Sequence, residues 1–215
     1  TTLETVFEVY TEQADMLHRS GVHLYILETF QDIRAMEQAI KAIRSVSTLP
    51  VVAMMTVGED GKTRYGIDLE EVVRKLDGSD ADLIGLNCTV GPKPMLDFTE
   101  RVVTMTKKPI CMMPNAGRPQ YTDGRMIYMS TPEYFSVYAR RFIDKGVRML
   151  GGCCGTTPDH ISKMANALAM KQTRIQHSIK VGIKPVTEEP LPEPVMQKEK
   201  SGLSNKLAAG KQVVL

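Results

Sequence analysis

Apolar and polar positions alternate between two periods along this chain. Residues 3–20 place Val6, Val9, Tyr10, Ala14 and Leu17 at helical spacing, and Gly21 ends the run. His23 to Glu28 is then a short apolar stretch closed by a carboxylate. The same alternation predicts a helix over 32–47, a strand over 50–55, a helix over 68–76 and a strand over 82–87. Pro92 and Pro94 sit where a first helical turn tolerates proline, with helix expected to about Thr106. A fourth strand is expected over 109–113. Residues 114–129 hold two prolines and two glycines and read as a loop. Thr131-Pro132-Glu133 opens the next helix. Val147 to Leu150 is the fifth strand, and Thr157-Pro158-Asp159 opens a helix to about Met170.

Strands that are apolar throughout, each followed by a helix, belong to a parallel sheet covered on both faces. An α/β class follows, either as a doubly wound open sheet or as part of a (β/α)8 TIM barrel. Glu28, Asn87-Cys88, 114–117 and 151–154 all fall at strand C-terminal ends, where both architectures place their chemistry. A metal shared by the third and fifth strands closes more readily in a barrel, whose strand ends converge on one mouth. The reading adopted is the last five βα units of a barrel, over residues 1–171, followed by an extended linker. Five units fall short of the eight a barrel needs, so about three are expected to precede residue 1. Two sheet edges would then be left raw, and the chain alone is expected to be inactive or poorly folded.

After residue 171 the character changes. Residues 172–200 include Lys184-Pro185 through Pro194, a proline-rich acidic stretch expected to be an extended linker. Residues 201–215 read as a short helix stopped by Gly210 and the beginning of a strand, the expected start of a second domain.

Composition narrows the function. Hydrophobic residues form 42% of the chain, enough for a core, and the 14 methionines read as soft core filling, with Met54-Met55 and Met112-Met113 in apolar runs. The net charge of +2 gives no electrostatic reason to expect a nucleic-acid partner. No apolar run reaches the roughly 18 residues of a membrane span. Four cysteines, two of them adjacent, suit a reducing cytoplasm better than a disulfide scaffold.

Gly151-Gly152-Cys153-Cys154-Gly155-Thr156-Thr157-Pro158 is the strongest chemical signal. Two thiols end a strand just ahead of a helix N-terminus, where the dipole and free N–H groups favour thiolate. Cys88, also at a strand end, can supply a third sulfur. Three protein sulfurs with an open fourth position describe a catalytic zinc rather than a closed structural one, although such ligands also suit Cu(I). Cys111, inside its strand, reads as core. His160 reads as a first-turn surface residue, and neither it nor His23 is assigned to a metal. The competing reading is a non-catalytic, thiol-rich metal-binding or redox-sensing α/β module, in which Cys153 and Cys154 form a strained vicinal disulfide. A zinc that only pins the structure is a third.

Together, Gly85 with Asn87-Cys88 and Gly-Gly-Cys-Cys-Gly-Thr at 151–156 resemble the zinc signature of the homocysteine S-methyltransferase family. Leu27-Glu28-Thr29-Phe30 and Pro114-Asn115-Ala116-Gly117 match that family in order and spacing. Asn-Ala-Gly-Arg-Pro at 115–119 is closer to the homocysteine module of cobalamin-dependent methionine synthases than to the S-methylmethionine-using branch. The tail is similar to bifunctional bacterial members in which a 5,10-methylenetetrahydrofolate reductase follows, and FAD would belong only to that further domain.

The resemblance implies zinc held by Cys88, Cys153 and Cys154, with homocysteine as substrate and methionine as product. It implies a methyl donor drawn from methylfolate, S-methylmethionine, S-adenosylmethionine or methylcobalamin. No protein nucleophile is implied, because the substrate sulfur is the nucleophile. Glu28 is the candidate partner of the homocysteine ammonium, and Asn115 is expected to shape the mouth by hydrogen bonding. The glycine-rich acidic motif of the family's first strand does not occur in this chain.

Overall fold

The computed structural model describes residues 2–172, with side chains to residue 169. The linker and second domain expected past residue 171 lie outside the described residues, apart from Gln172. The described elements are α1 (Leu3–Arg19), β1 (Tyr25–Phe30), α2 (Ile33–Val46), β2 (Val51–Met55), α3 (Leu69–Asp77), β3 (Leu83–Asn87) and α4 (Pro92–Val102). Then come β4 (Ile110–Met113), β5 (Pro119–Thr122), β6 (Arg125–Tyr128), α5 (Pro132–Asp144), β7 (Met149–Leu150) and α6 (Pro158–Gln172).

Five strands form one parallel sheet in the order β1-β2-β3-β4-β7. Each strand lies beside the one before it in that series. A doubly wound sheet reverses its order at a switch point, and this sheet does not, so it follows the course of a barrel wall. The side-chain period of two divides β2 between both faces of the sheet. Val51, Ala53 and Met55 join the main core, whereas Val52 and Met54 pack with Cys111 in a separate cluster. At Gly85 a Cβ would come within 1.8 Å of the Cys111 carbonyl oxygen, so β3 approaches β4 this closely only with glycine there.

The helices follow their sequence signals. Asp32 caps α2 by accepting from the Arg34 N–H at 2.9 Å, and Ile33, Met36, Ile40 and Ile43 form its buried stripe. Thr131 caps α5, with Pro132 in its first turn. Each fully buried aliphatic side chain of this kind contributes about 1.5–3 kcal/mol.

Several expectations are corrected. The apolar face of α1 is only partly covered. Ala14 is buried, but Val9 and Leu17 are exposed, as are Leu24 and, on β1, Ile26; β1 has one strand neighbour among the described residues. Helix α4 stops at Val102 rather than near Thr106. Its end is the β-branched run Val102-Val103-Thr104, and the Thr104 hydroxyl turns back to donate to the Arg101 carbonyl at 2.7 Å. Strand β1 does not end at Glu28. It continues to Phe30 through an irregularity at Thr29, whose φ is 62°. The expected loop over 114–129 contains the antiparallel hairpin β5–β6. Its two-residue turn, Asp123-Gly124, has φ 50° and 73°, the positive pair a type I′ turn requires.

Candidate metal centre

The C-terminal ends of β3, β4 and β7 are sewn together by main-chain bonds. The Cys88 N–H donates to Met113 O at 3.0 Å, the Cys153 N–H to Pro114 O at 2.9 Å, and the Ala116 N–H to Cys154 O at 2.8 Å. Cys88 and Thr89 both lie in the left-handed region, with φ 64° and 66°, so the chain turns sharply as β3 ends. Thr156 tightens the second turn by donating its hydroxyl to Cys153 O at 2.7 Å. Asn115 is buried and accepts from the Cys154 N–H through Oδ1 at 3.1 Å, which joins the β4 loop to the cysteine pair.

These turns bring Cys88, Cys153 and Cys154 into one group whose sulfurs all lie within 4.8 Å of one another. Cys88 Sγ is 3.7 Å from Cys154 Sγ, and Cys153 Sγ is 3.9 Å from Cys154 Sγ. A tetrahedral zinc with Zn–S bonds of about 2.3 Å has sulfur–sulfur edges of about 3.8 Å. A disulfide needs about 2.05 Å, and all three thiols are free. The donor set therefore fits a thiophilic cation such as zinc.

Charge leads to the same fit. Burial pushes the Cys153 thiol up to about 12, and the neighbouring Cys88 adds to that rise. The Cys154 N–H does favour the Cys153 thiolate, in the direction expected of free N–H groups at this turn, but desolvation outweighs it. Only a bound cation would make several thiolates this close together favourable. Cys111 is separate and fully buried in the core, where burial alone pushes its thiol up to about 12.

Glu28 is exposed two residues before the end of β1 and lies beside the cluster through Asn87, whose Nδ2 donates to Glu28 Oε2 at 3.3 Å. The sequence reading named Asn87 only as the neighbour of Cys88. In the structure its fully buried side chain also contacts Thr29 and Cys153.

Two further residues were missed or misplaced. Tyr128, at the end of the hairpin, packs its ring on Gly155, where a Cβ would lie 2.2 Å from the Tyr128 Cγ. Burial and the adjacent Cys154 sulfur push its phenol upward. The Asp-Gly turn was the available signal for this hairpin. His160 is buried rather than on the surface. Its Nδ1 accepts from the Thr157 N–H at 3.1 Å, so Nε2 carries the proton and donates to Ser130 O at 2.9 Å. Its ring also meets Phe135 edge-on at 5.0 Å between centroids. His160 thereby fastens the hairpin exit to the helix that follows the cysteine pair. His23 is exposed and lies apart from the metal-ligand cluster.

Residues 1–168 match the model of a family described as homocysteine S-methyltransferase. The chain is 31% identical over 175 residues to a methionine synthase of Mycobacterium leprae (strain TN), covering 79% of this chain and 14% of that protein. It is 32% identical over 168 residues to a methionine synthase of Mycobacterium tuberculosis (strain ATCC 25618 / H37Rv), covering 75% and 14%. Among solved structures it resembles the homocysteine methyltransferase MmuM from Escherichia coli. The apo form gives a TM-score of 0.64 at 20% identity over 78% of this chain and 57% of that one. The metallated form gives 0.63 at 19% identity over 77% and 52%. The chain thus spans a small part of those synthases and little more than half of the MmuM chain, and the structural likeness shows a shared fold.

Proposed function

The chain belongs to the homocysteine S-methyltransferase family, and from that premise we propose that it takes part in zinc-dependent methyl transfer to the sulfur of homocysteine, giving methionine. The observation that carries this reading is the trio of sulfurs from Cys88, Cys153 and Cys154, all within 4.8 Å of one another, with two of the pairs at 3.7 and 3.9 Å. When bound there, zinc supplies Lewis acidity that keeps a substrate thiol in its thiolate form near neutral pH. Existence of a metallated form of MmuM supports a metal in this fold.

The chain's own residues divide the remaining work. Cys88, Cys153 and Cys154 hold the metal. Glu28 offers a carboxylate to the homocysteine ammonium from β1, beside Asn87. Asn115 fixes the Cys154 backbone, and Tyr128 covers Gly155, so the cysteine turn is held on two sides. Cys154 is the exposed member of the trio, which leaves one side open to solvent and to a methyl donor. That donor is a methylfolate, S-methylmethionine, S-adenosylmethionine or methylcobalamin. The transferred methyl ends on the substrate sulfur, so no side chain serves as nucleophile.

The test is zinc per chain in reduced protein, with Cys88→Ser as control, followed by titration with homocysteine. One zinc that is lost in the variant, together with homocysteine binding, supports the reading. Zinc without any response to homocysteine indicates a structural metal. A folded, reduced sample that takes up no zinc overturns the proposal and favours a redox role for Cys153-Cys154.

A further inference from the structure

Thr29 is β-branched, yet its φ is 62°. Such a residue in the left-handed region is held there by something outside its own preferences. The restraint visible in the structure is Asn87, 58 positions away in sequence and fully buried. Its Oδ1 accepts the Thr29 N–H at 2.8 Å, and its Nδ2 donates to Thr29 Oγ1 at 2.7 Å. Because the Thr29 N–H can only donate, it sets the orientation of the amide. The amino end of Asn87 must then face the remaining partners. Those are Glu28 Oε2 at 3.3 Å and Cys153 Sγ at 3.8 Å, both acceptors when ionised.

We propose that Asn87 is a positioning residue that bends the Glu28–Thr29 corner and holds the Glu28 carboxylate toward the sulfur cluster. It reaches three strand ends. It sits at the end of β3, clamps the backbone of β1, and approaches a sulfur just past β7. The amide is neutral and has donors on one side and an acceptor on the other. A carboxylate at this position would still accept from Thr29 but would repel Glu28. An apolar side chain would release Thr29, whose N–H would lose its Asn87 partner. The consequence for substrate selection rests on the functional reading above. Asn87 sets how strongly the site prefers a thiol bearing an ammonium group over one without it.

The experiment compares Asn87→Ala and Asn87→Asp with the unmodified protein. Crystal structures report the φ of Thr29, metal analysis reports zinc per chain, and titrations compare homocysteine with 4-mercaptobutanoate, the same thiol without its amine. In Asn87→Ala, Thr29 is expected to leave the left-handed region, and zinc per chain to stay unchanged. Its preference for homocysteine should fall by about tenfold to a hundredfold, the scale of a lost hydrogen bond to a charged group. Asn87→Asp keeps the Thr29 acceptor, so it should keep the strained corner and still lose the preference. It also serves as the informative variant where Asn87→Ala does not fold. A left-handed Thr29 in folded Asn87→Ala overturns the proposal, and so does unchanged preference in Asn87→Asp. Loss of zinc in both variants overturns it as well, because the role would then be metal binding. Should the unmodified protein show no preference for homocysteine, the functional reading fails, while the Thr29 conformation still decides the part played by Asn87.

Discussion

Cys88 Sγ and Cys154 Sγ lie 3.7 Å apart although 66 positions separate them in sequence. Their strands, β3 and β7, are not neighbours, since β4 runs between them. The sulfurs meet because each strand ends in a sharp turn, left-handed at Cys88 and glycine-flanked at Cys153-Cys154. The cluster is thus assembled by the convergence of strand ends, and no local sequence segment contains it.

Removing one sulfur is therefore expected to abolish stoichiometric zinc binding rather than weaken it mildly. Cys88→Ser and Cys154→Ser should each reduce zinc affinity by more than the roughly 10–100-fold typical of a residue that only supports a ligand. Cys111→Ser should leave zinc per chain unchanged, because that thiol is buried among Val52 and Met54. Competition with a chromogenic chelator measures all three. Equal losses at Cys88 and Cys111 would contradict the assignment.

Gly155 has φ 78°, and a Cβ there would meet the Tyr128 ring at 2.2 Å. Gly155→Ala is expected to destabilise the protein by about 2 kcal/mol or more, combining left-handed strain with displacement of the hairpin. Adding Tyr128→Ala removes the ring but keeps the Tyr128 Cβ, which lies 2.5 Å from the added carbon, so it should relieve part of that displacement and the two changes should cost less together than their sum. Denaturant unfolding of both single variants and the double variant measures that coupling. Strict additivity would mean that the ring and the glycine do not interact.

Much of this architecture was legible from the chain. The apolar runs marked the five parallel strands, Asp32 and Thr131 marked helix starts, and glycine-flanked cysteines marked the cluster. What was not legible depends on partners distant in sequence. Nothing local in Leu27-Glu28-Thr29-Phe30 signals a left-handed threonine, because Asn87 imposes it. His160 looks like an ordinary first-turn residue until α6 meets the hairpin exit. The hairpin is a different case. Its Asp123-Gly124 turn was readable, but two prolines and two glycines in 114–129 weighed toward loop.

His160 joins Ser130 to Thr157, and both links have a distinct geometry. His160→Ala is expected to cost about 2 kcal/mol or more, since the Thr157 N–H and the Ser130 carbonyl both lose their side-chain partner. His160→Asn, which can place an acceptor near the position of Nδ1, should recover part of that loss. Thermal unfolding of the three proteins measures the order. A surface-exposed histidine would give no measurable change in either variant.

Alkaline pH offers an independent test of the core thiol. Burial pushes Cys111 up to about 12 in the folded chain, against an ordinary value near 9. In the unfolded chain this thiol ionises as pH passes its ordinary value, whereas the folded chain retains the proton. Between those two values the folded state binds more protons, so stability must fall as pH rises. The contribution is complete below the ordinary thiol range and drains away toward the folded value, at about 1.4 kcal/mol for each pH unit crossed. Cys111→Val fills a similar space without an ionisable group. It should therefore flatten the alkaline decline relative to the unmodified protein, while leaving stability near pH 7 changed by less than about 1.5 kcal/mol. Denaturant titrations at pH 7, 9 and 10 with zinc present compare the two slopes. Equal slopes would place Cys111 in contact with water, contrary to its position between β3 and β7.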